Sequence, residues 1–342
     1  MFSRKIPVYY ILLCIVATAA VTYIAARFFF RDKFFATHSA SEATAIPVTY
    51  KPDCTYDITR LTGYRHISPI VSAAHECEAE SLMPLKMTIA SYIEHEQTAG
   101  NILNASVYLR CLNNDDWINV NPTDAFHPAS LLKVPQLITY LKMAEVKPGL
   151  LDKEFEFNGS AENMPTQYYS AKTLQPGHKY SIKELFHFMI VYSDNNANVE
   201  LVNRMDMAVF NKTFKDLRLT APDLMDRNYV IGTRDYSKFL EALYNAAYLS
   251  ISASEYATEL LVEATFKDGI LKKLPRNVPV AHKMGEWGDG RTVELHDCGI
   301  VYIENRPYII TVMTRGNDME KLSETIGTVS RIIFDAMSSS SL

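Results

Sequence analysis

The sequence predicts an α/β (α+β) domain: one antiparallel sheet assembled from both ends of the domain, flanked by helices, with an all-helical lobe inserted between them, and an N-terminal transmembrane helix ahead of it. Three observations predict this. Strand patterns occur on both sides of residues 129–275, that middle stretch is mostly helical in its periodicity, and residues 7–26 form a run without a charged group. Setting a helical lobe against a sheet leaves a cleft at their junction, where ligand sites tend to lie.

Residues 7–26 read PVYYILLCIVATAAVTYIAA. As a helix rising 1.5 Å per residue they span ~30 Å, the thickness of a bilayer's hydrocarbon core. Tyr9, Tyr10 and Tyr23 suit the headgroup interface. Ala17-Thr18-Ala19 resembles a signal-peptide cleavage site, but the apolar run continues past it, which favours an uncleaved anchor in the lipid bilayer. Arg4 and Lys5 on one side, and Arg27, Arg31 and Lys33 on the other, leave the orientation undecided by charge.

Residues 34–65 lack helical periodicity and read as a stalk. Pro84 then suits the first turn of a helix carrying Leu85, Ile89, Tyr92 and Ile93 and ending at Gly100. A strand pair is expected at 105–112 and 117–120 around the turn Asn113-Asn114-Asp115-Asp116. Helices are expected at 129–145, 181–192, 196–205 and from 236 to about 248. Strands return at 280–285, 296–303 and 308–314, and a last helix places Leu322, Ile326, Val329 and Ile333 on one face, as packing on a sheet requires.

Composition excludes several classes. With 34 Lys+Arg against 39 Asp+Glu the net charge is −5, so no nucleic-acid partner is expected. Hydrophobic residues at 48% and charged residues at 21% exclude a disordered chain. Cys14 lies in the apolar run, while Cys111 and Cys298 fall in strands and read as small buried hydrophobes. Cys54 and Cys77 flank the first ordered segment and are expected to lie close enough to bridge. No CxxC or HExxH pairing appears, so neither a metal nor a cofactor is expected.

Three short motifs carry the chemistry: Ser130-Leu131-Leu132-Lys133 opening a helix, Ser193-Asp194-Asn195 between two helices, and Lys283-Met284-Gly285 on the first returning strand. Singly each is commonplace. Their order and their placement at element boundaries around one cleft make them informative. Ser130 at a helix N-terminus has its oxygen near free backbone N–H groups, and Lys133 lies one turn on, within reach of its hydroxyl. A lysine serves as a base when burial and a neighbouring cation depress its pKa. Ser193 can relay a proton to a leaving nitrogen, Asn195 can bond Lys133 and a substrate amide, and Lys283 suits a substrate carboxylate. Gly285 would let substrate backbone approach, and the N–H groups of Ser130 and Glu286 would form an oxyanion hole.

On these residues the chain resembles the penicillin-recognising serine hydrolases, and within them the class A β-lactamase-like family. The resemblance runs over 75–338 and includes His127-Pro128-Ala129-Ser130-Leu131-Leu132-Lys133-Val134-Pro135, Tyr192-Ser193-Asp194-Asn195-Asn196-Ala197-Asn198, Ala281-His282-Lys283-Met284-Gly285-Glu286 and His296-Asp297-Cys298-Gly299-Ile300-Val301-Tyr302. It implies a β-lactamase/transpeptidase-like fold, a nucleophilic Ser130, and a single-pass membrane protein whose catalytic domain faces the extracytoplasmic side. The expected organisation is an anchor over 1–33, a stalk over 34–74 and a hydrolase domain, monomeric, over 75–338. The expected substrate is a β-lactam opened through a Ser130 acyl-enzyme. The alternatives are a cell-wall D-Ala-D-Ala peptidase acting on a peptidoglycan stem, or a non-hydrolytic binder or sensor.

Two departures from the family pattern stand out. Met284 replaces the hydroxyl residue that helps hold a substrate carboxylate. The loop 219–233, LTAPDLMDRNYVIGT, contains no Glu to activate a deacylating water. Its carboxylates are Asp223 and Asp226, of which Asp226 is the candidate substitute. Glu286 is expected to contribute its N–H and not its carboxylate.

Overall fold

The computed structural model describes residues 54–159, 167–169, 172–224 and 228–339. In chain order these begin with strands β1 (Tyr56–Arg60) and β2 (Ile70–His75), helix α1 (Met83–Thr98), and strands β3 (Asn104–Cys111), β4 (Trp117–Val120) and β5 (Ala125–Phe126). Helix α2 (Lys133–Val146), strands β6 (Glu154–Glu156) and β7 (Lys179–Ser181), and helices α3 (Ile182–Val191), α4 (Asn195–Val202) and α5 (Met207–Asp216) follow. Strand β8 (Ile231–Gly232), helices α6 (Thr233–Tyr244) and α7 (Ile251–Val262), strands β9 (Val280–Gly288), β10 (Val293–Val301) and β11 (Tyr308–Gly316), and helix α8 (Met319–Ser338) complete the chain.

The central sheet has the order β4-β3-β11-β10-β9, antiparallel throughout, so both ends of the domain contribute strands to one sheet. Alternation sorts its side chains between two cores. On β11, Ile310 and Val312 join α1 and α8 through Ile89, Ile93, Ile326 and Val329, whereas Ile309 and Met313 face the helical lobe. That lobe is centred on Leu137, Phe186, Phe210, Phe214 and Phe239; the last three meet in sequence, tilted and then edge to face, with ring centroids 4.9 and 5.0 Å apart. Each fully buried side chain of this size contributes about 1.5–3 kcal/mol of transfer free energy. The strip β9, at the open edge of the sheet, is left beside the lobe, and there the motifs meet.

Local signals fix the element ends that matter for the site. Helix α3 starts at a capping box: Ser181 Oγ accepts from Glu184 N at 3.2 Å, and Glu184 Oε2 accepts from Ser181 N at 2.7 Å. It stops at Val191, and Asp194 caps the next helix, accepting from the backbone N–H groups of Asn196 and Ala197 at 3.2 Å each. The helices are thus broken at Ser193.

Three expectations need correction or qualification. The stalk expected over 34–74 is ordered structure over its last part: β1 and β2 pair antiparallel, and Leu61, Val71 and Ala74 are buried. Its short segments carry apolar residues on exposed as well as buried positions, so they do not register as half-buried strands by themselves. The α-helix expected from residue 129 begins at Lys133, because Ala129–Leu132 is a tighter 3₁₀ turn. The membrane helix expected over 7–26 lies outside the described residues, and among those described no helix is long and apolar enough to cross a membrane.

Cys54 and Cys77 form a disulfide with Cα atoms 5.9 Å apart, while Cys111 and Cys298 are free and buried. The bridge ties the start of the β1–β2 pair to the segment leading into α1 and closes a loop of sequence separation 23. Chain-entropy arguments assign such a loop about 3 kcal/mol. Reduction, or Cys54→Ser, is therefore expected to lower the thermal midpoint by roughly 6 °C, read by scanning calorimetry with and without reductant. An unchanged midpoint would contradict the structural role of the bridge.

Candidate active site

Ser130 sits in the 3₁₀ turn ahead of α2, with Ala129 before it at φ +48°. A left-handed alanine is strained and persists only when its surroundings impose it. Here Leu131 N donates to Pro128 O at 2.9 Å, Tyr236 Oη donates to Leu131 O at 3.2 Å, and β9 presses on the turn. A Cβ on Gly285 would lie 2.7 Å from Pro128 O and 2.9 Å from Leu131 Cγ. Gly285 thus makes room for the protein's own turn.

Ser193 occupies the break between α3 and α4 at φ +55°, a second strained position. The two motif lysines converge on it. Lys133 Nζ contacts Ser193 O at 2.6 Å, Asn195 Oδ1 at 2.8 Å and Ser193 Oγ at 3.2 Å. Lys283 Nζ donates to Ser193 Oγ at 2.8 Å and to Met284 O at 3.1 Å. Asp194 turns away from this cluster and accepts from Thr173 Oγ1 and Leu174 N, holding the break in place. The structure therefore brings Lys133, Ser193, Asn195 and Lys283 together, with Ser130 joined to Lys133 through the hydrogen bond from the Lys133 backbone N–H to Ser130 O.

Both lysines are buried, at 2 and 1% exposure. Burial first, and the neighbouring Lys283 second, hold the Lys133 ammonium well below the usual lysine range, against the opposing pull of Asp194 and Glu286. Burial lowers Lys283 to about 7, with Asp297 and Glu286 opposing. The partners of Lys133 suit a neutral amine: two obligate acceptors take its two N–H groups, and the Ser193 hydroxyl can donate to its lone pair. A buried amine with a depressed pKa beside a serine hydroxyl has the chemistry a general base requires.

Behind Lys283 lies a fully buried pair: His282 Nδ1 is 2.8 Å from Asp297 Oδ1, and Asp297 Oδ2 accepts from Ile270 N at 2.8 Å. The pair approaches the chain so closely that a Cβ on Gly269 would fall 2.2 Å from Asp297 Oδ2. In front, a cleft of about 320 Å³ opens beside Ser193 and Lys283, walled by Tyr169, Tyr192, Phe266 and Met284. The thioether of Met284, 2% exposed, offers no donor there. Among the described residues no group of three or more His, Cys, Asp or Glu is placed to hold a metal ion. Asp226 lies outside the described residues, and Asp223 is exposed.

Several residues of the site have no signal in local spacing. Gln167 Nε2 donates to Ser193 O at 3.1 Å across 26 residues, and the Glu286 carboxylate accepts from Tyr168 and Tyr169 across 118 and 117. The two carboxylate oxygens are thus committed to backbone donors. Strand alternation puts Glu286 on the same side as Met284, facing the cleft wall that carries Tyr169.

A third group, centred on Glu294, holds the approach to Ser130. Its fully buried carboxylate accepts from His127 N at 2.8 Å and Arg315 Nε at 2.6 Å, and lies 3.4 Å from His296 Nε2. His127 also stacks flat on Trp287 at 3.9 Å. Burial alone would raise the Glu294 carboxyl, but His296 and Arg315 outweigh it and hold the group at about 2. A carboxyl depressed in the folded state stabilises the fold above its ordinary range near pH 4.5 and loses that contribution as pH falls towards 2. Glu294→Gln is expected to cost about 3 kcal/mol at pH 7 and to flatten the acid limb of stability between roughly pH 4.5 and 2, measured by denaturant titration across pH. Parallel acid limbs in both proteins would contradict this.

A model of the beta-lactamase enzyme family matches residues 84–337. The chain belongs to that family. It is accordingly a serine hydrolase acting on amide bonds, with the family's α+β fold. Solved structures agree in fold. PBP-A is 23% identical with a TM-score of 0.62, covering 75% of this chain and 96% of its own. A class A beta-lactamase from Mycobacterium abscessus is 19% identical with a TM-score of 0.61, covering 75% and 100%. A beta-lactamase from Sphaerobacter thermophilus is 16% identical with a TM-score of 0.62, covering 73% and 95%. A comparison with curated proteins found no match.

Proposed function

We propose that this beta-lactamase-family hydrolase is held in the membrane by residues 7–26, faces the extracytoplasmic side, and opens the amide of a β-lactam through a Ser130 acyl-enzyme. The observation that carries the reading is the convergence of two buried lysines on Ser193 beside the strained Ser130 turn. Lys133, neutral, takes the Ser130 hydroxyl proton as Ser130 Oγ attacks the amide carbon. The oxyanion forms against the N–H groups of Ser130 and Glu286, whose approach is supported by the packing of Gly285 on Pro128 and Leu131. The C–N bond then breaks, and the proton passes from Lys133 through Ser193 to the leaving nitrogen. Lys283 orients Ser193 and offers positive charge to the substrate. An exported location is supported by the Cys54–Cys77 bridge, since disulfides persist in oxidising compartments. PBP-A has been solved, as a mutant, in an acyl-enzyme complex with penicillin G; we extend that chemistry to Ser130.

The absence of a Glu from 219–233 favours a second reading, a D-Ala-D-Ala peptidase or a trapping binder that acylates without rapid release. Incubating the full-length chain with a fluorescent penicillin and a chromogenic cephalosporin separates the two. Fast colour change with transient label supports a β-lactamase, and a lasting label with little colour supports the peptidase or binder. Absence of both label and turnover would sink the acyl-serine proposal.

A further inference from the structure

Glu286 extends from the strand edge to the opposite wall of the cleft. Its Oε1 accepts from Tyr168 N at 2.8 Å and its Oε2 from Tyr169 N at 3.1 Å. Gln167 fixes the other end of that segment to Ser193 O, the carbonyl that also receives Lys133. A carboxylate is thereby fixed beside the cleft that Tyr169 and Lys283 line, and it acts through space on both buried lysines. Tyr169 and Met284, which line the cleft next to Lys283, offer no compensating cation at this place. The far rim carries one charge of each sign, Lys267 and Asp268, and the Lys172 ammonium stands over the Tyr192 ring, 5.3 Å from its centroid.

A site whose positive charge is to be used by a substrate anion leaves that position open to it. Here the protein supplies the anion itself, with both oxygens satisfied by backbone donors. A substrate carboxylate arriving beside Lys283 would meet a fixed like charge in a half-dry cleft, where the effective dielectric is far below that of water. We infer that Glu286 is the specificity-determining residue of this site: its carboxylate takes the anion position next to Lys283 and selects substrates carrying a neutral amide or ester there over those carrying a free carboxylate. This rests on the reading of Ser130 as the acylated nucleophile.

The test uses the full-length chain and two probes, a penicillin with a fluorophore on its acyl side chain and the methyl ester of the same compound. The quantity measured is the ratio of acylation rate constants, free acid over ester. Glu286→Gln removes the charge while keeping one carbonyl acceptor, and is expected to raise this ratio by at least about tenfold. Glu286→Asp keeps the charge and is expected to hold the ratio near the wild-type value. Simple loosening of the 167–169 segment would change both probes alike and leave the ratio where it was. Labelling of Ser130 with the same ratio in wild type and Glu286→Gln overturns the inference and leaves the nucleophile reading standing. No labelling of Ser130 by either probe, in wild type or variants, overturns both.

Discussion

Ser130→Ala is expected to abolish covalent labelling by a fluorescent penicillin, and Lys133→Ala to slow it by about 10²–10⁴-fold, the range typical for loss of a positioned general base. The size of the Lys133 effect follows from its surroundings. Its amine is buried, is depressed well below the lysine range, and lies one turn from Ser130. The second lysine, Lys283, is bonded to Ser193 Oγ and to its neighbour's carbonyl. Lys133→Arg is not expected to restore the rate, because a guanidinium stays protonated and cannot accept the Ser130 proton. Rate constants from stopped-flow fluorescence, with thermal midpoints to show that the variants remain folded, check this. Near-normal labelling in Lys133→Ala would assign the base elsewhere.

The second large effect concerns release. Deacylation needs a water polarised by a carboxylate placed against the acyl group, and assistance of this kind is also worth about 10²–10⁴-fold. The segment 219–233 offers Asp223 and Asp226, each one methylene shorter than Glu, and Asp223 is exposed. The Glu286 carboxylate has its two oxygens committed to Tyr168 and Tyr169, and Asp268 lies on the far rim of the cleft. The acyl-enzyme is therefore expected to accumulate in a burst followed by slow turnover. If Asp226 activates the water, Asp226→Asn will trap the adduct without slowing its formation. Rapid turnover of β-lactams in the wild type, unaffected by either Asp→Asn change, would contradict the account of release.

The sheet and the cluster of Lys133, Ser193, Asn195 and Lys283 were legible in the sequence for a physical reason. Each motif residue sits where a helix begins or breaks or where a strand runs, and such boundaries are written in local chemistry: Pro135 and the apolar run after Ser130, the Ser181–Glu184 capping box ahead of α3, the Asp194 cap of α4. Strand β9 runs three residues past its expected end because Trp287 stacks on His127 from a distant segment. The contacts that were not legible are of the same kind. Tyr236 reaches Leu131 across 105 residues, Glu294 reaches His127 across 167, and Glu286 reaches Tyr168 across 118. Gly285 illustrates the limit well: its need for space was readable, but which neighbour fills that space depends on how β9 crosses the Ser130 turn. The strands 56–60 and 70–75 were missed because their exposed positions carry Tyr56, Ile58 and Ile70, which blurs the alternation that marks a half-buried strand.

The central claim is that Ser130 becomes an ester. Mass spectrometry of the full-length chain after brief exposure to penicillin G, followed by peptide mapping, tests it directly. The account predicts a mass gain equal to one intact penicillin, confined to the peptide containing Ser130 and absent from Ser130→Ala. An adduct mapped to another residue, or an unmodified chain while the penicillin is consumed, would contradict it.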